Sequence, residues 1–285
     1  MVGDLHIGVD GGGSGTRARL RDARGRLLGE AQAGPGNVRR PDAIANILAA
    51  CRAAIAAAGL GETALPRVHA GFGVAGTQQP HDLEATRVYP WPFARVVVET
   101  DAYAAWLGAF GGEDGAILIL GTGSAGLAVA DGVRTTVGGW GFEVGDYGSG
   151  AVLGRAAVRR AILALDGMAE RTAFAETILA DFDGRAENAI IWAGSAAPAD
   201  YAAYATRAFA AATAGDRLAV EVVREAAAGA TLMIRRLGDL GGGRIARIGS
   251  LWEGLLPWLD DDVRAITCAP AADALDGAIL LARGG

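Results

Sequence analysis

Twice in this chain a short apolar run breaks into a glycine-rich turn and returns as a second alternating run. The first starts at Leu5-His6-Ile7-Gly8-Val9, turns through Asp10-Gly11-Gly12-Gly13-Ser14-Gly15 and resumes from Thr16 to Leu20. Asp22-Arg24-Gly25 turns again, and Leu27-Leu28 opens a third strand. The second copy runs Ala116-Ile117-Leu118-Ile119-Leu120, turns at Gly121-Thr122-Gly123-Ser124, and continues from Ala125 to Ala130. Asp131-Gly132 then makes a hairpin turn into Val133 to Val137. Alternation with period two marks strands, and Asp-Gly between two such runs marks a hairpin. Each half therefore opens with an antiparallel meander, not with the βαβ unit of a dinucleotide-binding fold. The repeat is one of architecture and not of close sequence.

Around these meanders the pattern turns helical. A helix is expected from Pro41 to Ala58, stopped by Gly59, followed by strands at Arg67 to Val74 and Arg95 to Val98 and a helix over Ala102 to Phe110. The polar, glycine-rich stretch Gly111-Gly112-Glu113-Asp114-Gly115 reads as a boundary. It divides the chain into a domain at 1–112 and another at 113–285. The second domain should carry helices at Ala151 to Leu165, Arg171 to Asp181, Ala199 to Ala212, Asp216 to Leu237, Leu251 to Leu259 and Asp273 to Ala282, with a strand ending at Arg247-Ile248. The last helix, 273–283, is expected to pack back on the first domain. The fold class is α/β: two domains, a mixed sheet in each, and a cleft between them.

Composition removes several chemistries. All 26 basic residues are Arg, so a P-loop lysine, a pyridoxal Schiff base and the lysine of a protein-kinase strand are excluded. A net charge of -6 argues against nucleic acid as partner. Cys51 and Cys268 supply no disulfide framework, and His6, His69 and His81 have no partner at metal-ligand spacing. The first residues lack a basic segment followed by an apolar one, and the longest uncharged run, Gly115 to Ala130, is short of the roughly 20 residues that span a bilayer. No membrane partner and a cytoplasmic setting are expected.

Four segments carry candidate chemistry. Asp10 to Thr16 strips the Cβ from three adjacent positions, so anionic oxygens can approach backbone N–H groups, and Asp10 is placed to hold Mg²⁺ through water. Gly121, Thr122, Gly123 and Ser124 repeat that relation in the second half, adding hydroxyl donors without charge. Asp101, at the end of a buried strand, can take a proton from a sugar hydroxyl or cap the next helix. Gly138 to Gly150 packs six glycines with Trp140, Phe142, Tyr147, Glu143 and Asp146, a shaped loop in which Trp140 either lines a polar ligand or anchors the loop to the core. Asn37, in Gly34-Pro35-Gly36-Asn37, and Gly249-Ser250-Leu251 complete the candidates.

Together these segments resemble the sugar-kinase branch of the actin/Hsp70/hexokinase superfamily, and more closely the glucosamine and N-acetylglucosamine kinases of the BadF/BadG/BcrA/BcrD ATPase family. The parts that carry the likeness are Gly8 to Gly13, Thr100-Asp101-Ala102, Gly121 to Ser124, Gly138 to Gly141 with Gly145-Asp146 and Gly148-Ser149, and Gly249-Ser250. The resemblance implies a two-domain actin-like (ribonuclease H-like) ATPase fold and an ATP- and Mg²⁺-dependent kinase acting on the 6-hydroxyl of an amino sugar. It makes Asp101 the general base and assigns the phosphates to Gly12, Gly13, Ser14, Gly15 and Thr16 and to Gly121, Thr122 and Gly123. It puts Gly249, Ser250 and Leu251 near adenosine, and Asn37, Gly76, Asp101, Gly139, Trp140, Gly141 and Asp146 at the sugar. It also implies a homodimer. Mammalian-type N-acetylglucosamine kinases have Asn after the GTGS segment where this chain has Ala125, which leans toward glucosamine. Two other readings stand beside it. One is an ATPase driving a partner enzyme, like the activators of radical dehydratases. The other is a non-catalytic sugar-sensing regulator.

Overall fold

The structure, a computed structural model, describes residues 4–77 and 79–284. Residues 1–3, part of the stretch read above for a leader pattern, lie outside the described residues. The chain opens with β1 (Leu5–Gly11), β2 (Thr16–Asp22) and β3 (Leu27–Ala33), then α1 (Ala43–Ala57), β4 (Val68–Val74), α2 (Pro80–Arg87), β5 (Arg95–Thr100) and α3 (Asp101–Phe110). The second meander is β6 (Gly115–Leu120), β7 (Ser124–Ala130) and β8 (Val133–Gly138). Next come helices α4 (Gly150–Leu165), α5 (Ala173–Ala180), α6 (Ala186–Ala193), α7 (Pro198–Ala202), α8 (Tyr204–Thr213) and α9 (Arg217–Leu240). The chain ends with β9 (Ile245–Ile248), α10 (Trp252–Leu255), α11 (Asp261–Ala265), β10 (Thr267–Cys268) and α12 (Ala274–Arg283).

Two compact units emerge. One holds the chain to Asp114 and again from Ala269; the other is Gly115–Cys268. Their five-stranded sheets have the same topology. The first is ordered β3-β2-β1-β4-β5 and the second, read from its meander edge, β8-β7-β6-β9-β10. In both, the hairpin strands are antiparallel, while β4 lies parallel to β1 and β9 parallel to β6. The architectural repeat thus extends past the meanders to every strand of each sheet.

In the first unit, Leu5, Ile7 and Val9 of β1 join Ala70, Phe72 and Val74 of β4 in a core with Ile47, Cys51 and Ile55 of α1. Alternation turns the intervening residues to the other face, where α12 lies. Its approach depends on Gly8 and Gly71, which are paired across β1 and β4. A Cβ on either would sit 2.4 or 2.0 Å from the backbone oxygen of Leu275 or Ala278. Charge also fastens this helix: Arg19 of β2 donates to Asp273 at 2.7 and 2.9 Å, and Arg21 pairs with Asp276 at 2.8 Å. Burial works against an ionised Asp273, but the Asp276 N–H and the Arg19 guanidinium outweigh it and hold the carboxyl below its usual range. His6 and His69 stand side by side on β1 and β4, ring centroids 5.7 Å apart.

In the second unit, Ala116, Leu118 and Leu120 of β6 meet Leu153 and Ala157 of α4, Ile178 of α5, and Val222, Ile234 and Leu237 of α9. The Trp252 indole N–H reaches the Leu118 and Ile248 carbonyls, both at 3.1 Å, and ties α10 to the sheet.

Several helical bounds differ from the sequence reading. Helix α1 begins at Ala43, because Pro41 and Asp42 belong to a turn closed by Ala43 N–H donating to Arg40 O. The single helix expected over 199–212 is two, α7 and α8. The stretch expected as one helix from Leu251 stops at Leu255 and tightens into a 3₁₀ turn, Leu256–Trp258, which contains Pro257. Helices α2 and α6 were not anticipated. They have eight residues each, and each buries only one residue, Thr86 and Ala189 respectively, so neither shows the wide apolar stripe that identifies a helix. Among the described residues no helix is long and apolar enough to cross a membrane.

Candidate active site

In the first unit, the C-terminal ends of three parallel strands fall in one row. Gly11 of β1 is level with Val74 of β4, and Val74 with Thr100 of β5. The segments that leave these strand ends therefore lie on one edge, the usual ligand edge of an open α/β sheet. After β1 comes the loop Gly12 to Gly15, closed by Gly12 N–H to Gly15 O at 2.8 Å. Gly13 and Ser14 are exposed at its tip. Thr16 is fully buried and its hydroxyl donates to Gly34 O at 2.8 Å, so this residue braces the loop from behind.

After β4 comes Gly76, at φ +87°, with Ala75 N–H donating to Gly11 O at 2.8 Å. A Cβ on Gly76 would stand 2.3 Å from Asn37 Oδ1. Asn37 is held in turn by Arg39 N–H at 3.1 Å and by the Val38 N–H bond to Ala75 O at 3.0 Å. After β5 comes Asp101. Thr100, not Asp101, caps α3, its side chain accepting from Tyr103 N–H at 3.1 Å. The carboxylate of Asp101 is thus not the cap; its Oδ1 accepts from the adjacent Ala102 N–H at 2.9 Å. Burial lifts the Asp101 carboxyl above the ordinary value of 3.8; the Ala102 N–H opposes the lift and the charge of Asp10 adds to it. Asp10, Asp101, Asn37, Gly76 and the first glycine loop therefore share one edge.

Sequence reading missed Arg17. The hairpin places it directly opposite Asp10, and its guanidinium pairs with that carboxylate at 2.6 Å. The signal was present: a four-residue loop between Gly11 and Thr16 sets that register. Among the described residues no three His, Cys, Asp or Glu side chains gather as a metal site. Asp10, paired with Arg17, nevertheless offers one partly exposed carboxylate beside the first glycine loop, and Mg²⁺ keeps most of its waters and takes one or two protein carboxylates.

The second unit repeats the plan. After β6, Gly121 N–H bonds to Gly123 O at 3.0 Å, leaving Thr122 exposed at the tip. The same loop is tied to α4, with Gly150 N–H on Gly121 O at 2.8 Å and Ala151 N–H on Thr122 O at 3.0 Å. Ser149 caps that helix, accepting from Val152 N–H at 3.3 Å. After β9, Gly249 takes φ +102°, and a Cβ there would lie 2.2 Å from Leu120 O. Gly249 thus follows β9 directly, against the end of β6, whereas Gly76 stands two residues past β4. Leu251 N–H reaches Leu120 O at 3.2 Å, so the 249–251 turn adjoins the second glycine loop.

Within Gly138 to Gly150 the residues divide. Trp140 is 71% exposed, which overturns its reading as a core anchor and leaves its indole available. Gly139 and Gly141, at φ +77° and +87°, flank it at the surface. Asp146 is turned the other way: it is 7% exposed, and Oδ1 accepts from Ser124 N–H at 3.1 Å.

Comparison with known proteins decides the lineage. The BadF/BadG/BcrA/BcrD ATPase family matches residues 7–243. The chain belongs to that family. The glucosamine kinase GspK of Vibrio cholerae is 35% identical over 281 residues, covering 98% of this chain and 96% of that protein. The crystal structure of a candidate N-acetylglucosamine kinase from Chromobacterium violaceum superposes with a TM-score of 0.90 at 33% identity, covering 99% of this chain and 100% of that one. A ROK-family glucokinase of Streptomyces griseus, solved with glucose and AMPPNP, has the same fold, with a TM-score of 0.55 at 23% identity over 99% and 100% of the two chains.

Proposed function

We propose that this family member is an ATP-dependent sugar kinase that phosphorylates the 6-hydroxyl of glucosamine or N-acetylglucosamine. One observation carries the reading: Asp101 directly follows β5 without serving as the helix cap, and its carboxyl is held above the usual range by burial and by Asp10. A general base with that placement can take the hydroxyl proton as the oxygen attacks phosphorus. Asn37 and the Gly76 turn hold the sugar beside it, and Gly139, Trp140 and Gly141 supply further contacts. The N–H groups at the tips of the Gly12–Gly15 and Gly121–Gly123 loops, with the Ser14 and Thr122 hydroxyls, hold the phosphates. Gly249, Ser250 and Leu251 border the adenosine. Asp10 would hold Mg²⁺ through water, and the ion would supply charge neutralisation for the transferred phosphoryl group. A chain with no Lys has only backbone N–H groups, hydroxyls, Arg and metal for this work.

The GspK relative and the Ala125 departure favour glucosamine as the sugar. The test is ADP release from Mg-ATP across glucosamine, N-acetylglucosamine, N-acetylmuramic acid and glucose. Turnover on an amino sugar is expected, with glucosamine giving the highest kcat/KM. ADP release independent of any sugar would instead support an ATPase coupled to a partner, and silence on the whole panel would support a sensor.

A further inference from the structure

The environment of Asp146 assigns it a task beyond those above. It has φ +56°, a left-handed conformation uncommon outside glycine that Asp tolerates better than most residues. It is nearly buried, and its carboxylate faces the second glycine loop: Oδ1 accepts from Ser124 N–H at 3.1 Å, the first residue after that loop. Its own carbonyl accepts from Ser149 N–H at 3.0 Å, at the cap of α4. One residue thus grips the loop with its side chain and the start of the neighbouring helix with its backbone. Gly123 is shaped to match, since a Cβ there would stand 2.9 and 3.1 Å from the two Asp146 carboxylate oxygens. Gly123 has an ordinary backbone conformation, so what its missing side chain provides is room for Asp146.

We infer that Asp146 is the positioning residue of the second phosphate loop, with Gly123 the space that admits its carboxylate. The clasp assigns the loop's donors. Gly121 N–H is spent on Gly123 O and Ser124 N–H on Asp146, which among the described residues leaves the Thr122 and Gly123 N–H groups at the tip for an anion. A carboxylate beside a phosphate loop would repel a triphosphate if it were free. Pinned and buried behind the loop, it instead fixes the curvature that presents the tip. The role rests on the kinase reading, because it supposes that nucleotide phosphates bind there.

The test is calorimetric binding of Mg-AMPPNP to the full chain, read beside the KM for glucosamine and amide hydrogen exchange of Ser124. Asp146→Ala should weaken Mg-AMPPNP by about ten- to a hundredfold, on the scale of a buried donor left unpaired, and should speed Ser124 exchange, whether or not the glucosamine KM also rises. Asp146→Asn keeps an acceptor and tolerates positive φ, so it should restore binding to within about threefold. Gly123→Ala should be damaging alone and harmless in an Asp146→Gly background, because the clash it creates is with the carboxylate. Three results would overturn the assignment: a rise confined to the glucosamine KM, unchanged Ser124 exchange in Asp146→Ala, or an equal Gly123→Ala loss in both backgrounds. If the wild-type chain bound no Mg-AMPPNP while Ser124 remained protected by Asp146, the clasp would stand as architecture, and both the kinase reading and this role in it would fall.

Discussion

Replacing Asp101 by Asn should separate activity from stability, with opposite signs. The substitution keeps shape and the Ala102 N–H contact at 2.9 Å but removes the carboxylate proposed to accept the sugar proton. Loss of a general base costs about 10²–10⁴ in turnover, equivalent to about 3–5 kcal/mol of barrier. Stability moves the other way. Burial and Asp10 raise the folded carboxyl above 3.8, so the folded chain binds this proton more tightly than the unfolded chain does. Stability from this group is therefore present at low pH, declines as pH rises from the ordinary value through the raised one, and stays reduced at neutral pH. Asn carries no charge to desolvate, so Asp101→Asn should melt at or above the wild-type temperature at pH 7.5, with the gap closing in acid. The assay is a coupled ADP-release measurement beside thermal melts at several pH values. Near-normal turnover would remove Asp101 from the base role. A lower melting temperature at neutral pH would mean that the carboxylate is held by favourable contacts and not strained by burial.

The same geometry sets four further outcomes. The acid limb of kcat/KM should lie above the ordinary carboxyl value of 3.8, because Asp101 must be ionised to act, and a limb at that value would contradict the raised carboxyl. Trp140→Ala should leave the melting temperature unchanged, since the ring is 71% exposed, yet raise the KM for the sugar; a destabilised variant would show that the indole packs in solution. Gly249→Ala forces a side chain into φ +102° and against Leu120 O, a cost of about 1–3 kcal/mol from the backbone alone; it should weaken nucleotide binding, and unaltered Mg-ATP affinity would detach this turn from the site. Gly71→Ala drives a Cβ into the backbone of α12, so it should lower the melting temperature by an overpacking cost of about 1–3 kcal/mol or more, and an unshifted melt would contradict the close packing of that helix.

The meanders were legible because period-two alternation and Asp131-Gly132 are local signals, and the register they set put both glycine loops at strand ends. That the turns after β4 and β9, with Gly76 and Gly249, lie beside the two loops was not legible. It depends on which strands lie parallel to β1 and β6, a matter of long-range pairing that leaves no local pattern. The helix cap at Thr100 was missed because Thr and Asp are both good caps, and only backbone geometry chooses between neighbours. Composition marked Gly138 to Gly150 as a shaped loop but could not sort its side chains. Trp140 turns outward between Gly139 and Gly141, both at positive φ, and Asp146 turns inward at φ +56°, dihedrals that sequence does not report. Helices α2 and α6 were overlooked because an eight-residue helix that buries one residue has no periodic stripe to find.

The most direct measurement is to incubate the full chain with Mg-ATP, with and without glucosamine, quantify ADP, and locate the new phosphate by phosphorus–proton correlation NMR. ADP should accumulate only when the sugar is present, and the phosphorus should couple to the two protons on C6. Equal ADP formation without sugar, or coupling to a ring proton instead of the C6 pair, would contradict the reaction assigned to this site.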